Sequence, residues 1–90
     1  MSEQQQTIYV VDDDEAMRDS MTWLLEGEGH KVACYDSAAS FLAARNDRMR
    51  GCIVLDVRMP EMSGLELHER LETLGSQLPI IFVTGHGAVP

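Results

Sequence analysis

Basic side chains are scarce in this chain: seven Lys and Arg stand against fifteen Asp and Glu, giving a net charge of −8 over 90 residues. Phosphate backbones need cations opposite them, so the deficit argues against direct nucleic-acid binding by this segment. No apolar run approaches the ~18 residues of a membrane-spanning helix. The opening MSEQQQT lacks the basic and apolar regions of a secretory signal, so the expectation is a cytoplasmic protein with no membrane partner. Cysteine is nearly absent too. Cys34 and Cys52 form no C-x-x-C pair and have no His at zinc spacing, which predicts two free, buried thiols. Linkers, internal repeats and low-complexity stretches are missing as well, and the length allows a single domain over residues 1–90.

What is present is four short apolar runs: Ile8-Tyr9-Val10-Val11, Val32-Ala33-Cys34-Tyr35, Cys52-Ile53-Val54-Leu55 and Ile80-Ile81-Phe82-Val83. Continuous runs rich in β-branched and aromatic residues suit strands buried on both faces of a parallel sheet. Helical spacing fills the gaps. Met17, Met21, Leu24 and Leu25 make one stripe, with Gly27 and Gly29 as stop signals. Ala38, Phe41 and Leu42 make a weaker second face, with Ser37 as the N-cap. In the third helix Ser63 and Glu66 predict a capping box, Leu67, Leu71 and Leu74 a stripe, and Gly75 an end. The order β-α-β-α-β-α-β implies an α/β fold with a parallel sheet and right-handed crossovers.

Open parallel sheets bind ligands beyond the carboxyl ends of their strands. Asp12 and Asp13 follow the first run, Asp56 the third, and Thr84 and Gly85 the fourth. Three carboxylates and a hydroxyl would therefore meet in one crevice. Carboxylates so gathered repel one another unless a cation intervenes, and Mg²⁺, a hard ion that takes oxygen ligands and bridges to phosphate, suits the place. A carboxylate beside it could attack a phosphoryl group and become an acyl phosphate. Each piece alone has an ordinary alternative. Asp12-Asp13-Asp14 could merely cap a helix, Asp56 could be a turn residue, Thr84 could be loop chemistry, and His68 and His86 could lie on the surface. Their convergence at successive strand ends favours the site.

These residues resemble the receiver domains of bacterial response regulators, the CheY-like family whose strand order 2-1-3-4-5 is a standard case of the doubly wound, flavodoxin-like sheet. Val10-Val11-Asp12-Asp13 resembles the acidic pair after the first strand. The segment from Asp56 through Pro60 to Gly64 resembles the phosphoacceptor segment, and Val83-Thr84-Gly85-His86-Gly87 is similar to the fourth-strand segment of FixJ-type transcriptional regulators. The resemblance implies that Asp56 accepts phosphate from a sensor histidine kinase. It implies that Mg²⁺ is held by Asp13 and Asp56 directly, by Asp12 through water and by Arg58 through its carbonyl. Thr84 would contact the phosphoryl group as the switch, and the Arg58 and His86 side chains would modulate its lifetime.

Receivers also carry a Lys and an aromatic switch residue on a fifth strand. The only lysine here is Lys31, roughly 15 Å from the active edge at the starting end of the second strand. The expectation is a receiver truncated after its fourth strand, about thirty-five residues short, whose exposed fourth strand promotes self-association and whose parent carries a transcriptional output domain. Two rivals remain. One is a Mg²⁺-dependent phosphatase with an aspartyl nucleophile, like the haloacid dehalogenases, although Arg58 stands where those enzymes want a second acid. The other is a degenerate receiver serving as a protein-binding scaffold.

Overall fold

In the computed structural model, which describes residues 6–84, the elements run β1 (Thr7–Val11), α1 (Glu15–Gly27), β2 (Lys31–Tyr35), α2 (Ala38–Ala44), β3 (Gly51–Asp56), α3 (Gly64–Thr73) and β4 (Ile80–Val83). The strands form one parallel sheet in the order β2-β1-β3-β4. This is the doubly wound, CheY-like order that the resemblance to receivers implies.

Strand alternation divides the side chains between two faces. Tyr9, Val11, Ile53 and Leu55 point to one face and are buried there under Ala38 and Phe41 of α2 and Leu67 and Leu71 of α3. Phe41, Ile53, Leu55 and Leu67 are fully inaccessible, and each such side chain contributes about 1.5–3 kcal/mol of burial free energy. Tyr9, Tyr35 and Phe41 add an aromatic cluster with ring centroids 5.1 to 6.5 Å apart. On the opposite face α1 lies toward β2, where the Thr22 hydroxyl meets the Cys34 thiol at 3.1 Å. Val10 and Val54 are buried on this side.

Only the two central strands are buried as the apolar runs predict. β2 and β4 are edges of the described sheet, with Ile81 53% and Phe82 39% exposed. The α1 stripe also needs correction. No residue of α1 is buried and Leu24 is 55% exposed, because the helix packs mainly on β2; Trp23, which lies off the stripe, is 79% exposed as its position implies. Leu74 likewise leaves its predicted stripe: α3 ends at Thr73, Leu74 is the C-cap, and its side chain faces solvent. Both cysteines are free, but neither is buried. Cys34 is exposed on the edge strand and Cys52 is partly covered.

The helix starts follow the sequence closely. Ser63 accepts from the Glu66 N–H at 3.2 Å while Glu66 accepts from the Ser63 N–H at 2.9 Å, the predicted capping box. Ser37 caps α2, with Ser40 as an unpredicted reciprocal partner. Gly51 opens β3 with φ +131°, and a Cβ there would lie 1.8 Å from the Thr7 carbonyl oxygen. That position admits glycine alone.

Candidate metal and phosphoryl site

The site is built where β1 and β3 end. The last ladder bond of β2 runs from the Asp12 N–H to the Tyr35 carbonyl at 3.1 Å. There the chain turns. Asp12 Oδ1 accepts the Asp14 N–H at 2.9 Å, and Asp14 Oδ1 accepts the Ala16 and Met17 N–H groups at 2.9 and 3.4 Å. Asp14 is therefore the N-cap of α1. Within the acidic triplet it is Asp14 that caps the helix, and Asp12 and Asp13 that lie at the crevice.

Asp56 ends β3 and is buried to 1% exposure, Asp12 to 3%, while Asp13 faces solvent. Asp56 Oδ1 accepts the Arg58 N–H at 3.1 Å. The loop beyond is tied down by two backbone bonds, Val57 N–H to the Val83 carbonyl at 3.1 Å and Gly64 N–H to the Val57 carbonyl at 2.9 Å. Gly64 permits this closeness, since a Cβ would stand 2.3 Å from the Asp56 carbonyl oxygen.

Carboxylate oxygens of Asp12, Asp13 and Asp56 lie within 4.8 Å of one another. Burial, together with the charges of Asp56 and Asp13, pushes the Asp12 carboxyl above its ordinary pKa, against a smaller lowering by the Asp14 N–H. Such repulsion at a strand end is what a bound cation relieves. The donors are all hard oxygens, and Asp13 also lines a shallow cleft of about 490 Å³ with Val57, Arg58, Met59, Pro60 and Ser63. This donor set fits Mg²⁺, which keeps several of its waters and needs few carboxylates.

The other predicted residues are placed as follows. Val83 pairs with Asp56, so Thr84, exposed, leaves β4 at the same edge. Arg58 is exposed beside Asp56. His86 lies outside the described residues. Lys31 pairs with Thr7 at the opposite end of the sheet, as its position in the second run requires. His68 is remote from the crevice, 3.8 Å from Glu72 and stacked edge-on against Phe82. One residue of the site escaped notice in the sequence. Arg18, in the first turns of α1, reaches back so that Nη1 donates to the Asp12 carbonyl at 2.8 Å. Its signal was faint: a cation near a helix start, where the dipole favours acids.

Comparison with known proteins agrees with this geometry. Residues 8–90 match the response regulator receiver domain family, and the chain belongs to it. It is 47% identical over all 90 residues to the response regulator protein TmoT of Ectopseudomonas mendocina, and spans 41% of that protein's length. Among solved structures, FixJ-N superposes with a TM-score of 0.85 at 42% identity, covering 100% of this chain and 70% of FixJ-N. The response regulator TrrA of Thermotoga maritima, solved in complex with Mg²⁺-BeF, superposes at 0.75 with 25% identity, covering 92% of this chain and 72% of TrrA. The chain is thus a receiver domain of the response-regulator family, a class of two-component signalling proteins. Among the described residues no helix is long and apolar enough to cross a membrane.

Proposed function

We propose that the 90 residues act as one phosphoacceptor unit in which Asp56 takes a phosphoryl group from a sensor histidine kinase. The observation carrying this is the buried Asp56 carboxylate at a strand end, with oxygens of Asp12 and Asp13 within 4.8 Å. An Asp56 carboxylate oxygen attacks phosphorus as the donor's P–N bond breaks. The histidine nitrogen keeps the electron pair and takes a proton, and Asp56 becomes an acyl phosphate. Asp13 and Asp56 would hold Mg²⁺ directly, Asp12 through water, and Arg58 through its carbonyl. When bound, the ion offsets the charge gathering between carboxylate and phosphate. The Arg58 N–H, already on Asp56 Oδ1, holds that oxygen in place. Thr84 turns its hydroxyl to the phosphoryl oxygens and carries the change along β4, and His86 modulates the lifetime of the phosphate. The whole protein works in the cytoplasm and passes the signal to a transcriptional output domain, as the name of FixJ, "transcriptional regulatory protein", suggests for that relative. The open side of β4 serves as a contact between two copies.

Incubation with acetyl phosphate and MgCl₂, followed by intact-mass measurement, tests the assignment. One phosphoryl group should add to the wild type and none to Asp56→Asn. Labelling that survives in Asp56→Asn would refute Asp56 as acceptor. A protein that binds a kinase without taking any label would instead support the scaffold alternative.

A further inference from the structure

The bond from Arg18 to Asp12 closes a ring. Asp12 Oδ1 accepts the Asp14 N–H, the Asp14 carbonyl accepts the Arg18 N–H at 3.0 Å, and Arg18 Nη1 returns to the Asp12 carbonyl at 2.8 Å. Asp13 sits at the apex of this ring, the one exposed member of the three-carboxylate cluster. The ring joins the end of β1 to the first turns of α1, so it fixes the backbone on both sides of Asp13 without touching its carboxylate. A charge-assisted bond to a carbonyl at the end of a ladder is stronger than a neutral one. The guanidinium reaches that carbonyl from a helix, a rigid support.

We propose that Arg18 is a positioning residue that holds the Asp12–Asp13 turn in the shape that takes up Mg²⁺. This rests on the assignment of Mg²⁺ to Asp12, Asp13 and Asp56. The two ways a cation at this position can act have opposite signs. If Arg18 acted only through its charge, it would repel Mg²⁺, and its removal would tighten binding. If it acts by position, its removal loosens binding although a repelling charge has gone. Partners that orient metal ligands in this way are typically worth ten- to a hundredfold in affinity.

The test follows the backbone amide shifts of Asp12, Asp13 and Asp14 as Mg²⁺ is added to wild type, Arg18→Met, Arg18→Lys and Asp56→Asn. Arg18→Met is expected to bind Mg²⁺ about tenfold more weakly. Arg18→Lys, which keeps a charge and a donor, should return to within about threefold of wild type. Arg18→Gln is too short to reach the carbonyl and carries the same expectation as Arg18→Met if that variant fails to fold. The core variant Leu71→Ala controls for general destabilisation: it should lower the melting temperature and leave the Mg²⁺ affinity within about twofold. Unchanged or tighter binding in both Arg18→Met and Arg18→Gln overturns the positioning role while leaving the metal site intact. Absence of any Mg²⁺ response in the wild type, or an unaltered one in Asp56→Asn, overturns the metal assignment and this inference with it.

Discussion

At the scale of single residues, the crevice is a balance between charge repulsion and tight backbone packing. Asp12 carries the repulsion. Burial first, then Asp56 and Asp13, raises its pKa. A carboxyl raised on folding binds its proton more readily folded than unfolded, so the folded state loses stability as pH rises through the raised value. Below the unfolded value, about 4, both states are protonated and the difference vanishes. In metal-free buffer Asp12→Asn, which keeps the acceptor for the Asp14 N–H, should therefore melt higher than wild type near neutral pH. The gain should fade as the pH drops toward about 4. Melting curves with a chelator at several pH values check this, and a variant less stable at neutral pH would contradict it. Gly64 carries the packing. A methyl group there meets the Asp56 carbonyl oxygen at 2.3 Å, so Gly64→Ala must move either α3 or the end of β3. It should cost about 2 kcal/mol or more and weaken Mg²⁺ binding together with stability, which urea unfolding and an amide-shift titration would show.

At the scale of elements, helices with local start signals were the legible ones. Ser63 and Glu66 announce α3 because a capping box involves side chain and backbone only three residues apart. Ser63→Ala leaves the Glu66 N–H at the start of α3 without its acceptor and should cost about 1 kcal/mol. That is a fall of roughly 4–8 °C in melting temperature for a domain of this size; calorimetry showing no fall would mean that water replaces the cap. The α1 stripe was legible as a helix but not as a buried one. Periodicity says that Met17, Met21, Leu24 and Leu25 share a face, and it is silent on how much of that face meets another element. Leu24 stays exposed since α1 leans toward β2, where Thr22 meets Cys34.

At the scale of the whole molecule, the described chain has one well-covered sheet face and one partly open. Trp23, Leu24 and Ile81 are exposed, and among the described residues β4 pairs only with β3. An edge strand without charge, proline or bulge along its length templates pairing with another strand, and β4 reads Ile-Ile-Phe-Val. The 90-residue chain should self-associate through this edge. Sedimentation at tens of micromolar should show species larger than the monomer, and placing a charge with Ile81→Lys should shift them back. A sharp monomer at that concentration would dismiss the contact.

The order of elements, the parallel sheet and the three acids were legible along the chain, because each depends on short-range signals: apolar runs, caps, and residues at the ends of strands. Strand order came with the resemblance of Asp12-Asp13 and of the Asp56–Gly64 segment to receivers, since alternation within a strand cannot say which strand lies beside it. Where each acid points came only with the folded chain. Three consecutive Asp residues look alike in one dimension. In three, the turn after β1 sends Asp14 to the helix N–H groups, buries Asp12 and leaves Asp13 open. Arg18 joined the site only there as well. Its bond spans six positions and requires strand, turn and helix to be in place at once. Exposure was decided by the fold too, because whether Cys34, Leu24 or Leu74 meets solvent depends on where a neighbouring element comes to rest, not on the residue's own preference.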